Sequence, residues 1–122
     1  MTILVADDNA LSRELIRELL ESSGHLILEA QDGREALELI HSKGPDLAII
    51  DLQMPLQDGF TVIHELRNGV RFRQLPVIAV TAAAMMGDRE RAIAAGFDSY
   101  IAKPVDLSEI EAQVKALAPP PR

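Results

Sequence analysis

The sequence contains no cysteine, so it can form no disulfide, no thiolate zinc site and no thiol nucleophile. The absence of cysteine is typical of a reducing compartment, and we expect a cytoplasmic location. No apolar run is longer than a strand, which predicts no signal peptide and no membrane insertion. Basic residues are scarce, with 12 Lys and Arg against 19 Asp and Glu and a formal net charge of −7. This balance argues against direct nucleic-acid binding, which needs basic patches to neutralise phosphates.

The apolar content is sufficient for a folded core. Of the 122 residues, 48% are hydrophobic, so one ordinary domain can form without disulfide or metal staples. We place this domain at residues 1–118 and interpret residues 119–122, which include three consecutive prolines, as a proline-rich tail.

Short apolar runs alternate with helical patterns five times along the chain. The runs are Ile3–Ala6, Leu26–Leu28, Leu47–Ile50, Val77–Val80 and Tyr100–Ala102. This alternation predicts a single α/β domain with a doubly wound parallel sheet of five strands and helices on both faces. The third and fourth runs are continuously apolar, as expected of strands buried on both faces.

Capping residues and apolar spacing mark the five helices. The expected N-caps are Asn9, Asp32, Asp58 and Asp106, and a further helix is expected over Asp88–Ala95. Leucines recur at helical spacing in the first helix (Leu11, Leu15 and Leu19), and four apolar residues share one face of the last (Leu107, Ile110, Val114 and Leu117). The apolar stretch Ala82–Gly87 is interpreted as part of a poorly defined fourth helix, with a partner surface as the alternative.

Polar residues follow four of the predicted strands. Asp7 and Asp8 end the first, Asp51 ends the third, Thr81 ends the fourth, and Lys103 follows the fifth. The carboxyl ends of parallel strands meet at one edge, where ligands of such folds bind. Three converging carboxylates require a cation or a proton at neutral pH, and Mg²⁺ is the natural choice of cation. A lysine and a hydroxyl could bind phosphoryl oxygens while one aspartate attacks phosphorus, which predicts Mg²⁺-dependent phosphoryl transfer to a carboxylate.

Four motifs in order resemble those of response-regulator receiver domains. They are Val5–Asn9, Asp51–Gly59, Val80–Ala82 and Lys103–Pro104, and the resemblance extends from Ile3 to about Leu117. It implies a flavodoxin-like fold with strand order 2-1-3-4-5. It also implies a histidine kinase or histidine phosphotransfer protein as phosphodonor, and a downstream effector of unknown identity.

The same resemblance assigns roles to individual residues. Asp51 would be the phosphoacceptor, and Thr81 and Lys103 would bind the phosphoryl group. The metal ligands would be Asp7, Asp8, Asp51 and the backbone carbonyl of Gln53. Tyr100 would be a switch aromatic residue that rotates inward behind Thr81, and the Lys103–Pro104 bond would be cis.

Three other functions compete with this interpretation. A small Mg²⁺-dependent phosphohydrolase with an aspartate nucleophile would carry two first-strand aspartates separated by one residue, whereas Asp7 and Asp8 are adjacent. A flavin or nucleotide binder would need a Gly/Ser/Thr-rich loop after the first strand, whereas this loop is acidic. A phosphorylation-independent interaction module is the third alternative. In the favoured interpretation the protein is not an enzyme with a free substrate, and it catalyses only its own phosphorylation and dephosphorylation.

Overall fold

Strands and helices alternate along the whole described chain. The computed structural model describes residues 1–82 and 87–118. Its strands are β1 (Thr2–Ala6), β2 (Leu26–Ala30), β3 (Leu47–Asp51), β4 (Val77–Thr81) and β5 (Ser99–Ala102). Its helices are α1 (Ala10–Ser22), α2 (Gly33–Lys43), α3 (Gly59–Asn68), α4 (Asp88–Ala95) and α5 (Leu107–Leu117). The proline-rich tail and most of the stretch Ala82–Gly87 lie outside the described residues.

Side-chain caps start four of the five helices. The carboxylate or amide oxygens of Asn9, Asp32, Asp58 and Asp106 accept hydrogen bonds from backbone amides in the first turns of α1, α2, α3 and α5. These bonds satisfy donors that a helix leaves free at its start, and they confirm the predicted caps. Helix α2 ends at Gly44, which adopts the left-handed conformation that glycine tolerates best.

The five strands form one parallel sheet in the order β2-β1-β3-β4-β5. This confirms the predicted doubly wound, flavodoxin-like sheet with five helices. In the register, Asp51 pairs with Val80 and Thr81 pairs with Ala102, so the carboxyl ends of β3, β4 and β5 are level. Among the described helices, none has the length and apolar character needed to cross a membrane.

The core has one layer on each face of the sheet. Alternate side chains of the strands pack against α1 and α5 on one face and against α2, α3 and α4 on the other. Every residue of β3 and β4 is buried, as expected for central strands covered on both sides.

Of the leucine stripe seen in the sequence of α1, only Leu19 packs against the core. Ile16 and Leu20 are buried, whereas Leu11 is 67% exposed and Leu15 is 47% exposed. Two stripes of α1 have helical spacing, and the direction of the helix over the sheet decides which one packs. On α5, Ile110 and Val114 are buried, but Leu107 is exposed, so the predicted apolar face includes one residue too many.

Candidate functional site

One ammonium group joins two carboxylates at the carboxyl edge of the sheet. Lys103 Nζ lies 2.9 Å from Asp7 Oδ2 and 3.0 Å from Asp51 Oδ2. The side chains are 15%, 3% and 5% exposed, respectively. Each of the three residues lies two positions after a core residue of the α1–α5 layer, so strand alternation directs all three toward the same face. The structure therefore brings together residues that are up to 96 positions apart in the sequence.

Backbone amides hold the remaining carboxylate oxygens. The Gln53 amide donates to Asp51 Oδ1 at 2.9 Å, and the Asn9 amide donates to Asp7 Oδ1 at 2.9 Å. Each buried carboxylate is thus fixed at one oxygen by an amide two residues ahead and at the other by Lys103. Fixed carboxylates need little reorganisation when they bind a ligand or react.

Asp8 adds a third carboxylate to this cluster. Asp7, Asp8 and Asp51 each place one oxygen so that all three lie within 4.8 Å of one another. Asp8 is exposed, and its carboxylate makes no hydrogen bond to any residue that the structure describes. A cluster of carboxylates with one side open to water fits Mg²⁺, which binds oxygen ligands and retains several waters. Gln53 contributes the amide described above, and the role of its carbonyl stays a prediction.

Burial and charge act in opposite directions on the site's titratable groups. Burial raises the pKa of Asp51, and the negative charge of Asp7 raises it further. The Gln53 amide and Lys103 lower this pKa, but the raising influences are larger, so the pKa of Asp51 is raised. Burial lowers the pKa of Lys103, but hydrogen bonds and charges from Asp7 and Asp51 outweigh burial and raise it. Lys103 is therefore protonated at neutral pH, and Asp51 would gain from a further cation.

Thr81 is the last residue of β4, the neighbour of β3, and Tyr100 lies on β5. Thr81 is buried, and its carbonyl accepts a hydrogen bond from the Lys103 amide at 2.8 Å. Tyr100 pairs with Ala79, two residues before Thr81, so both side chains lie on the same face of the sheet. The Tyr100 hydroxyl is buried and has no hydrogen-bond partner in the described part of the chain. Burial and the nearby charge of Asp88 raise the pKa of Tyr100.

Two backbone features shape the loops of the site. The Lys103–Pro104 peptide bond is cis, as the family resemblance implies. Helix α3 begins against the backbone at the end of β3, since a Cβ on Gly59 would lie 2.8 Å from Leu52 Cα and 2.9 Å from Asp51 O. Only glycine allows this approach without a shift of the backbone that carries Asp51.

Arg13 is a site neighbour that the sequence did not single out. From α1 its Nη1 donates to the Asp7 carbonyl at 2.8 Å, and its Nε donates to Glu29 Oε1 at 3.1 Å. An arginine on an amphipathic helix is ordinarily solvated, and no motif in the sequence marks this one.

Two cavities differ in their relation to the carboxylates. A cavity of about 260 Å³ opens beside Lys103; its lining residues are Ser12, Leu15, Ile16, Lys103, Pro104, Val105 and Leu107. A larger cavity of about 510 Å³ lies near Met1, His25 and the end of α5, at the amino-terminal edge of the sheet. The larger one contains none of the predicted site residues, so size alone does not mark the site.

The sequence is similar to known proteins over almost its whole length. Residues 3–115 match the sequence model of the response regulator receiver domain. The chain is 37% identical over 115 residues to the polar-differentiation response regulator DivK of Brucella ovis, covering 94% of each chain.

Solved structures of similar proteins share the fold. The receiver domain of a Francisella response regulator is 32% identical with a TM-score of 0.88, over 95% of this chain and 94% of that one. The receiver domain of a sensor histidine kinase from Pseudomonas aeruginosa is 31% identical with a TM-score of 0.85, over 95% and 96%. That structure contains a magnesium ion coordinated in the active-site cleft.

Proposed function

Because the chain belongs to the response regulator receiver domain family, we propose that it accepts a phosphoryl group on Asp51 in a phosphorelay and thereby changes its partner binding. Two-component signalling is the function of the family. One observation supports the proposal that Asp51 accepts the phosphoryl group. Its buried carboxylate is held by Lys103 and the Gln53 amide beside two further aspartates.

The proposed reaction is a transfer between two side chains. A carboxylate oxygen of Asp51 attacks the phosphorus of a phosphohistidine on the donor protein. The new oxygen–phosphorus bond forms as the phosphorus–nitrogen bond breaks, and the histidine nitrogen keeps the electron pair and takes a proton from water. The Lys103 ammonium then pairs with a phosphoryl oxygen, and the Thr81 hydroxyl donates to another. Positioning and charge neutralisation account for most of the catalysis in such transfers.

Asp7, Asp8 and Asp51, with the Gln53 carbonyl, would hold Mg²⁺. When bound, the ion would neutralise charge that builds up on the phosphoryl oxygens. The fit of three oxygens within 4.8 Å supports this assignment, as does the magnesium ion in the Pseudomonas relative. This chain's own contribution is to hold the carboxylates in place through the Asn9 and Gln53 amides.

The phosphodonor would approach over α1 and the start of α5. Leu11, Leu15 and Leu107 are exposed there, and the cavity between these helices includes Lys103. Exposed apolar side chains beside a reactive group are typical of an interaction site. A helix of a histidine kinase or histidine phosphotransfer protein could cover these leucines and present its phosphohistidine to Asp51.

Phosphorylation would shift the equilibrium between two packings of the same fold. Drawing Thr81 toward the phosphoryl group opens space on its face of the sheet, and the Tyr100 ring would move into that space. The Tyr100 hydroxyl has no hydrogen-bond partner among the described residues, so no such bond opposes the movement. The surface around β5 would then bind a downstream effector differently. We expect both the phosphorylation and the effector binding to take place in the cytoplasm.

Intact-mass spectrometry after incubation with acetyl phosphate tests the proposal. We expect the wild type to gain one phosphoryl group only with Mg²⁺, and Asp51→Asn to gain none. Phosphorylation of Asp51→Asn under the same conditions would refute the acceptor assignment. Steady turnover of a generic phosphomonoester would instead support the phosphohydrolase alternative. No mass gain in the wild type would favour a phosphorylation-independent interaction module.

A further inference from the structure

We propose that Arg13 is a positioning residue that orients Asp7 and Asp8 for metal binding. This inference rests on the proposed function, because it assumes that these carboxylates bind Mg²⁺. Arg13 touches neither carboxylate. It holds the peptide bond that connects the two residues, through the 2.8 Å hydrogen bond from Nη1 to the Asp7 carbonyl.

Besides Arg13, two backbone amides restrain the chain around this peptide. The Asn9 amide donates to Asp7 Oδ1 at 2.9 Å, and the Asp7 amide donates to the Ala30 carbonyl at 3.0 Å, which ties the strand end to β2. On the other side, the Asp8 side chain is exposed and has no hydrogen bond within the described residues. The direction in which Asp8 leaves the backbone therefore depends on the orientation of this peptide, and Arg13 is the side chain that fixes its carbonyl.

Arg13 is itself held from β2. Glu29 accepts from Arg13 Nε at 3.1 Å through one oxygen and from Arg17 Nη1 at 2.9 Å through the other. Glu29 pairs with Val5 in the sheet, so it is anchored beside the strand that leads to Asp7. In metal sites, residues that contact the ligands but not the ion commonly set the geometry of those ligands.

A positioning role and a purely electrostatic role of Arg13 predict opposite effects of its removal on Mg²⁺ affinity. A cation near a metal site repels Mg²⁺, so if Arg13 acted only through its charge, Arg13→Gln would bind Mg²⁺ more tightly. If Arg13 orients the Asp7–Asp8 peptide, the same substitution weakens binding. Loss of an orienting partner typically costs about tenfold or more in metal affinity.

The test is a Mg²⁺ titration of the unphosphorylated protein, followed by two-dimensional ¹⁵N NMR. We expect Arg13→Gln to bind Mg²⁺ about tenfold more weakly than the wild type. Arg17→Gln is the matched control, because Arg17 lies one turn further along α1 and binds the same Glu29 but has no bond to Asp7. Its affinity should equal that of the wild type. Arg13→Lys keeps one donor and should lie between Arg13→Gln and the wild type.

A second measurement separates positioning from general loss of structure. The initial rate of phosphorylation by acetyl phosphate is followed as a function of Mg²⁺. We expect Arg13→Gln to need more Mg²⁺ for half-maximal rate and to reach nearly the wild-type rate at saturation. A destabilised fold would lower the maximal rate as well, and urea unfolding of both arginine variants compares their stability.

The outcomes are distinguishable. Equal or tighter Mg²⁺ binding by Arg13→Gln, or the same weakening in Arg17→Gln, would overturn the role of Arg13 and leave the proposed function intact. If the wild type itself binds no Mg²⁺, both the metal site of the proposed function and this inference fail. If Arg13→Gln does not fold, Arg13→Met provides the comparison, because it also removes the bond to the Asp7 carbonyl. Wild-type Mg²⁺ affinity in Arg13→Met would overturn the role of Arg13.

Discussion

The Lys103 ammonium lies 3.0 Å from the Asp51 carboxylate and also binds Asp7 at 2.9 Å. One buried cation therefore serves two carboxylates, and the Asp51 oxygen it binds is a candidate for the attack on phosphorus. The proposed reaction adds negative charge at this point, and Lys103 is already placed to pair with it.

We predict that Lys103→Met destabilises the fold by about 3 kcal/mol at neutral pH, because two buried carboxylates lose their partner. The raised pKa of Asp51 would rise further, so protons would relieve the repulsion as pH falls, and the loss would be smaller at an acidic pH than at neutral pH. Mg²⁺ should stabilise the variant more than the wild type. Urea unfolding at both pH values, with and without Mg²⁺, measures this. An equal loss at both pH values would contradict the explanation.

Mg²⁺ affinity should depend on pH through Asp51. Burial raises the pKa of this carboxyl, so protons compete with Mg²⁺ at a higher pH than at an ordinary aspartate. We expect the affinity to fall with acidification, by up to about tenfold per pH unit below that pKa. An NMR titration at several pH values gives the slope. Asp51→Asn should bind Mg²⁺ more weakly and show a flatter pH profile, and a flat profile in the wild type would be contrary evidence.

Gly59→Ala should perturb both stability and phosphorylation. The added methyl would contact Leu52 Cα and Asp51 O at less than 3 Å, so the backbone at the end of β3 must move. We expect a loss of about 1–3 kcal/mol in unfolding free energy and a slower reaction with acetyl phosphate.

Gly69→Ala is the control for this substitution. Its new methyl would meet only Glu65 O at 3.6 Å and Leu66 O at 3.8 Å, which are ordinary contacts. Gly69 has a negative φ, so the variant should be neutral or slightly more stable, and its phosphorylation rate should be unchanged. Equal effects of the two alanines would argue against a special role for the contact between α3 and the end of β3.

Leu56→Gly should stabilise the protein. Leu56 has φ +68° and is 75% exposed, so it holds a left-handed backbone and buries little of its side chain. The left-handed conformation costs a residue with a Cβ about 1–2 kcal/mol, and we expect a net gain of about 0.5–1 kcal/mol after the added chain entropy. Leu15→Gly, in the middle of α1, should instead destabilise by about 1 kcal/mol. The urea midpoints of the two variants should therefore move in opposite directions.

Much of the fold was predictable because its signals are local. Apolar runs and helical spacing depend on residues a few positions apart, and the caps at Asn9, Asp32, Asp58 and Asp106 act within one turn. Alternation alone does not decide strand order, which came from the family resemblance and agrees with the sheet. The meeting of Asp7, Asp51 and Lys103 followed from a general property of parallel sheets, whose carboxyl ends share one edge.

Local patterns in the sequence specify the alternating elements, the helix starts and the set of residues at the strand ends. The burial of Ile16 and Leu20 in place of Leu11 and Leu15 is visible only in the folded chain. The same holds for the bond from Arg13 to the Asp7 carbonyl and for the close approach of Gly59 to the end of β3. Such contacts depend on how a helix is oriented over its strands, and this orientation results from packing between segments far apart in the chain, which no local pattern encodes.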